Sequence, residues 1–360
     1  MAKNYLAKLQ ALEGAVVGDY NPHNHVIRSP SPGFNFTFGK GWGLPLGYTL
    51  ALGGPGKAGK SLISYAMTGQ LHQDDPDAFV IKFDTEWRER GQLSDEMAKN
   101  WGIDKERYIC FAGNDPELIF DRLETEVAAM CEDGMKLRLV IIDSLTNIKG
   151  RRSMNTNTVM TQNIGDQAQT VKIGLQRVQG IQKKYNYAQI LTTHVSAEMD
   201  PVEQMRGNKV KMNLPFYAQH FCEYFMFVER NQTKAGRTDL SGNEFKDEER
   251  TDMADNGEQT GHKIIVKMKD SSLGPKGRKG EFTINYDKGI VNVHEEVFTL
   301  AKNRGILQMP NNRSYVFKDK TWTSKEAMLT AIKDDSELQK AILDELKRQD
   351  MAGKFKDIEE

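Results

Sequence analysis

The chain has almost no net charge, with 49 Lys and Arg against 50 Asp and Glu. That balance excludes a global field for attracting a polyanion, so any nucleic-acid site must be a local basic patch. Cysteine is scarce. Cys110, Cys131 and Cys222 are odd in number and lack a C-x-x-C spacing, which argues against a disulfide framework or a thiolate zinc cluster. Thiols kept reduced in a cytoplasm are the expectation. No apolar run approaches the roughly eighteen residues that span a bilayer, and the first residues show no signal-peptide core. Internal repeats and low-complexity tracts are missing too, which argues against a solenoid or a linker-like chain. What is present, 38% hydrophobic and 28% charged residues over 360 positions, suits a globular chain large enough for a full α/β core.

The most informative stretch is Gly54-Pro55-Gly56-Lys57-Ala58-Gly59-Lys60-Ser61, followed by Leu62. It satisfies every fixed position of the phosphate-binding pattern G-x-x-x-x-G-K-[ST]. Glycines let successive backbone N–H groups turn inward around a phosphate, a lysine at Lys60 reaches the terminal phosphates, and the Ser61 hydroxyl suits Mg²⁺. A helix starting near Lys60 adds its positive dipole end to the same place. A strand before it (48–52) and a helix after it (60–73) give the context the pattern needs. ATP with Mg²⁺ is the expected ligand.

Three regions are expected. Residues 1–32 open with an apolar stripe at Tyr5, Leu9 and Leu12, a helical spacing too small to bury its own face, and are read as a docking arm. Residues 33–294 alternate apolar strands with helical stretches, the pattern of an α/β fold with a mostly parallel sheet. Strands are expected at 48–52, 78–84, 108–111, 137–143, 188–193, 223–229, 263–269 and 281–286, with helices at 60–73, 117–132 and 165–186. Residues 231–262 are polar and acidic and read as a solvated excursion from that core. Residues 295–360 form a small mixed region whose last helix is expected to be capped at Ser336, with its stripe at Leu338, Ile342 and Leu346.

Three strand ends carry further chemistry. The run 137–143 is apolar throughout and ends in Asp143, as strands buried on both faces do, so Asp143 is expected to serve Mg²⁺ together with Ser61. The strand 78–84 delivers Glu86, a carboxylate able to orient and deprotonate an attacking water. The strand 188–193 ends at His194, where a polar side chain can sense the γ-phosphate and pass its state to the loop behind.

In this order and at this spacing the motifs resemble those of RecA-type recombinases, most closely the bacteriophage UvsX-like branch. Asp84-Thr85-Glu86 resembles the family's acidic strand end, with Glu86 at the position of the catalytic base. Ile142-Asp143-Ser144 resembles its Walker B segment, and Thr193-His194 matches its switch position. The resemblance covers about residues 33–298. It implies a P-loop NTPase with a RecA-like core in a bacterial cytoplasm, phage-infected in the case of that branch. It also implies two DNA-binding loops, which here hold Arg151 and Arg152 after the Asp143 strand and Arg206, Lys209 and Lys211 after His194. Clustered cations on open backbone suit phosphate contacts with a single strand.

Lys267 and Lys269 share one face of the strand at 263–269. The resemblance implies that such lysines act across a subunit boundary on a neighbour's γ-phosphate, and that subunits stack head to tail in a helical filament. The resulting expectation is a DNA-dependent ATPase that forms filaments on single-stranded DNA and pairs it with homologous duplex, helped by loader and single-strand-binding proteins, with no membrane partner. Two alternatives remain at this point: a hexameric helicase on the same core, and a non-motor ATP-binding assembly regulator.

Overall fold

The computed structural model describes residues 21–89, 92–154, 165–205, 210–231, 261–311 and 313–352. β1 (Val26–Ile27) and β2 (Leu44–Pro45) form a small antiparallel pair. The main sheet takes up β3 (Thr49–Gly53), β4 (Phe79–Asp84), β5 (Tyr108–Ala112), β6 (Leu137–Asp143) and β7 (Ala188–Thr193). A separate ribbon of β8 (Val195–Ala197) and β9 (Val210–Met212) follows. Then β10 (Tyr224–Arg230), β11 (Gly261–Ser271), β12 (Lys279–Asn285) and β13 (Gly289–Val291) complete nine strands in the order β13-β12-β11-β10-β3-β7-β6-β4-β5. From β10 to β5 every neighbour is parallel, whereas β10 to β13 pair antiparallel. The α/β class with a large, mostly parallel central sheet is therefore as expected, and all eight expected strands form within two residues of their expected ends.

Alternation of side chains sorts each apolar strand between two cores. In β6, Leu139 and Ile141 join the core beneath helix Lys60–Asp74, while Val140 and Ile142 join the one beneath helix Asp166–Tyr185. Both cores are dry: Leu139, Val140, Ile141 and Ile142 are fully buried. Helices on both faces are what parallel strands require, because neither face is polar enough for water. No helix of the described residues is long and apolar enough to cross a membrane.

The C-terminal region forms a third core that also takes in Phe36 and Trp42. Helix Val293–Asn303, the hairpin β14 (Tyr315–Phe317) and β15 (Lys320–Trp322), and helices Lys325–Asp334 and Ser336–Met351 enclose Phe298, Met328 and Ile342. Leu338, Ile342 and Leu346 are buried, as their spacing predicts. The helix cap differs, since Asp335 and not Ser336 accepts from the Leu338 amide, at 2.9 Å. A carboxylate one residue earlier supplies the same interaction with the added benefit of the helix dipole.

Three further differences have physical causes. The boundary expected at 32/33 cuts through the buried helix Pro32–Phe36, and Ile27 just before it is core. The described part of the expected arm therefore packs into this chain; the stripe at Tyr5, Leu9 and Leu12 lies outside the described residues. The helix at 117–132 is wound as π-helix over Glu117–Asp121 and Leu123–Val127 before its last α-turn. The loop expected at 196–215 holds β9 and the short helix Pro201–Met205, because β8 and β9 pair in register from Val195↔Met212 to Ala197↔Val210. Of the acidic excursion, residues 232–260 lie outside the described set.

Candidate nucleotide site at the strand ends

The carboxyl ends of β3, β7, β6 and β4 lie side by side, with Gly53 opposite Thr193 and Asp84 opposite Asp143. The Gly54–Ser61 loop leaves β3 at this edge and enters helix Lys60–Asp74. Two of its glycines are required by space. A Cβ at Gly54 would lie 2.4 Å from the Val228 carbonyl oxygen, and one at Gly59, where φ is +102°, would lie 2.3 Å from Ile264. No side chain caps this helix, which leaves its first amides available to a ligand.

Lys60 is buried, and its Nζ donates to the carbonyl oxygens of Gly54 at 2.8 Å and Pro55 at 2.9 Å. Burial lowers its pKa; Asp143 and Glu86 pull it back up, and Arg88 pushes it further down. The Ser61 hydroxyl donates to Asp143 Oδ2 at 2.6 Å, and Thr192 donates to the other carboxylate oxygen. Asp143 is held below its ordinary range: burial works against the charge, but Lys82, the two hydroxyls and Arg88 outweigh it. A hydroxyl and an ionised carboxylate 2.6 Å apart are a hard-oxygen pair suited to Mg²⁺, so the residues fit the expected ion.

Glu86 and His194 meet, with Nε2 of the histidine 2.9 Å from Oε1 of the carboxylate. Behind His194, the Asn213 amide donates to its carbonyl at 2.9 Å, so this side chain stands at the root of the β8–β9 ribbon. A change at Glu86 thus has a short covalent and hydrogen-bonded route into the ribbon.

Sequence reasoning missed several residues that the fold brings to this edge. Arg88 forms an ion pair with Glu86 and reaches to 3.4 Å from the Ser61 hydroxyl. Lys82, in the middle of β4, is only 1% exposed and pairs with Glu89 and, at 3.4 Å, with Asp143. Tyr108 donates to Glu89 at 2.9 Å, and Tyr65 donates to it as well. Burial opposes the Lys82 charge, yet Tyr108, Tyr65, Asp143 and Glu89 hold its pKa well above the ordinary value. A lone lysine inside the run Phe79-Val80-Ile81-Lys82-Phe83 was the available signal, since such strands tolerate a cation only when it is paired.

The cleft, about 340 Å³, extends from the loop to Arg230, His262 and Tyr286. These three arrive together because β10 ends where β11 begins and β12 ends. His262 Nδ1 lies 3.0 Å from the Tyr286 hydroxyl, and its buried Nε2 has no partner. Burial, helped by Arg230, lowers its pKa to about 4. Trp87, by contrast, is 56% exposed.

The remaining expected residues are not in this cleft. Lys267 and Lys269 are exposed on β11, with Lys269 Nζ 5.0 Å from the Phe227 ring centroid, several residues from the strand end at the loop. Within one chain they do not reach the Gly54–Ser61 loop. Arg151 and Arg152 lie exposed on the short helix Arg151–Met154, and Arg151 pairs with Glu117 at 3.1 Å. Lys211 sits on β9, 3.8 Å from Glu198. Arg206 and Lys209 lie outside the described residues. Comparison with protein-family models and with curated proteins finds no match for this chain.

Proposed function

We propose that the chain is a RecA-type recombinase: a DNA-dependent ATPase that assembles on single-stranded DNA and exchanges strands with homologous duplex. One observation carries the reading. Lys60, Ser61 and Asp143 line one cleft at the glycine-rich loop, and Arg88 in the same cleft reaches from the Ser61 hydroxyl to Glu86, which meets His194, so four different strand ends come together there. Ser61 and Asp143 would hold Mg²⁺, which when bound neutralises phosphate charge. Lys60 would exchange its two carbonyl partners for phosphate oxygens. Glu86 would accept the proton of an attacking water, and departure of Arg88 from Glu86 would free the carboxylate to do so. His194 would report the change to the ribbon that carries Lys211.

The test is ATP hydrolysis with and without single-stranded DNA, on the wild type and on Lys60→Ala and Glu86→Ala. Stimulation by DNA is expected, both variants should lose turnover by 10²-fold or more, and Glu86→Ala should still bind ATP. Full turnover in Glu86→Ala would refute its role as the base. Electron micrographs with a slowly hydrolysed ATP analogue should show open filaments; closed six-membered rings would favour a helicase instead.

A further inference from the structure

The far end of the sheet holds a second recess, of about 650 Å³, between residues 21–28, the 39–42 loop, the 273–278 loop and the last helix. β11 runs from His262 in the nucleotide cleft to Ser271 beside this recess, so the two lie roughly 30 Å apart along the strand. Its charged lining is mostly cationic, with Arg28, Lys40, Arg278 and Lys347 against the single carboxylate of Asp350.

That carboxylate is fully engaged. It is 3% exposed and accepts from Arg278 through both oxygens at 2.9 Å, from Arg304 at 2.8 Å and from the Trp42 indole at 2.8 Å. Four donors fill the four lone-pair directions a carboxylate offers. Nothing is left for the others. Arg28, Lys40 and Lys347 form no ion pair among the described residues, and the Arg28 Nε is buried without a partner. Their crowding acts on the titrating groups in one direction. Burial lowers the pKa of Lys347 and Arg28 lowers it further, against a weaker pull from Asp344; burial and Lys40 do the same to His23, whose buried Nδ1 also lacks a partner.

The wall is fixed rather than improvised. Asp350 ties the last helix to Arg278 and Trp42, and Gly39, with φ +80°, lets the 39–42 loop approach Pro275 where a Cβ would come within 2.5 Å. A preformed recess with an arginine fork, point-charge ammonium groups and, among the described residues lining it, no carboxylate besides the engaged Asp350 matches a tetrahedral oxyanion. Its volume is that of a small-molecule site, not of a groove that follows a polymer.

We propose that this recess binds a small phosphate-bearing anion, a diphosphate or a free polyphosphate, through Arg28, Lys40 and Lys347. The site is independent of the nucleotide cleft and stands whether or not the recombinase reading does.

Inorganic pyrophosphate is the probe, titrated calorimetrically into the full chain carrying Lys60→Ala so that the phosphate loop does not contribute. One site is expected, weakening as salt rises. Adding Arg28→Gln and Lys347→Gln should weaken it at least about tenfold for each charge removed. Lys40→Gln, at an exposed side chain that cannot unfold the protein, should weaken it as well. Pyrophosphate should raise the Tm of the Lys60→Ala protein but not that of the triple variant. No binding at millimolar pyrophosphate, or equal binding by all variants, overturns the proposal. Displacement of pyrophosphate by a duplex oligonucleotide would assign the recess to polymer phosphates and overturn the small-anion assignment.

Discussion

At the carboxyl ends of the parallel strands the cations have partners on the same chain: Lys82 lies against Glu89 and Asp143, Arg88 against Glu86, and Lys60 on two carbonyl oxygens. At the other end of the sheet Arg278 and Arg304 pair with Asp350, while Arg28, Lys40 and Lys347 form no ion pair among the described residues. Both edges concentrate positive charge under partial burial, yet they resolve it differently. The first pairs its cations on its own and would have to trade partners for a ligand: Arg88 would leave Glu86, and Lys60 its two carbonyl oxygens, for phosphate oxygens. A site of that kind can switch, because each state is internally matched. The second is mismatched as it stands, and an anion would remove a repulsion rather than exchange one contact for another. That favours steady occupancy over switching.

The largest effect that would sharpen this contrast concerns Lys82. Both Lys82 and Glu89 are almost wholly buried, at 1% and 6% side-chain exposure. Removing one partner leaves an unpaired buried charge, at a cost of about 3–5 kcal/mol. Lys82→Met should lower urea stability by that order at pH 7, and adding Glu89→Gln should restore part of it. At the far edge, Arg28→Gln should leave stability level or raise it, since it relieves like-charge repulsion. If Lys82→Met were nearly neutral, charge matching would not be what organises the edge at the carboxyl ends of the strands.

A smaller effect concerns pH. Burial lowers the pKa of His262, in the cleft at the strand ends, to about 4 in the fold, against about 6.5 when unfolded. As pH falls through that window the unfolded chain takes up the proton first, so stability is lost on acidification, by about 3 kcal/mol at most. Glu296 has the opposite sign. It is buried in the C-terminal region, where Ser31 donates to it and the Gly33 amide donates at 2.9 Å. Burial pushes its pKa up to about 8, so the folded chain keeps a proton that the unfolded chain releases, and stability is lost as pH rises from about 4.5 to 8. Unfolding midpoints between pH 4 and 8 should therefore flatten on the acid side in His262→Gln and on the alkaline side in Glu296→Gln. No change of slope in either variant would mean that these groups are not desolvated as their surroundings indicate.

Much of the architecture was legible because its strands are buried on both faces, and a run such as Leu139-Val140-Ile141-Ile142 has few other uses. The loop Gly54–Ser61 and the strand-end positions of Glu86, Asp143 and His194 were legible for the same reason, since each terminates an apolar run. The β8–β9 ribbon was not, because its three-residue strands are half exposed and carry no apolar period. The π-helical winding of 117–132 leaves no mark in composition. Arg230, His262 and Tyr286 meet only through antiparallel pairing at the sheet edge, and the Asp350 cluster unites four distant segments. Contacts of that kind are properties of topology and cannot be read from local pattern.

The smallest expected effect lies on the surface between these edges. Arg151 and Glu117 pair at 3.1 Å but are 72% and 55% exposed, so water screens them and the side chains lose entropy in holding the geometry. Arg151→Gln should change stability by less than about 1 kcal/mol. Its consequence should appear elsewhere. Arg151 and Arg152 are exposed cations behind the Asp143 strand, and a phosphate in solution competes well for a guanidinium so weakly held. Arg151→Gln with Arg152→Gln should therefore loosen retention of a single-stranded oligonucleotide at low salt, equally for all sequences, and reduce its salt dependence. Unaltered retention would leave this helix as ordinary charged surface, and would move any single-strand contact to the ribbon behind His194.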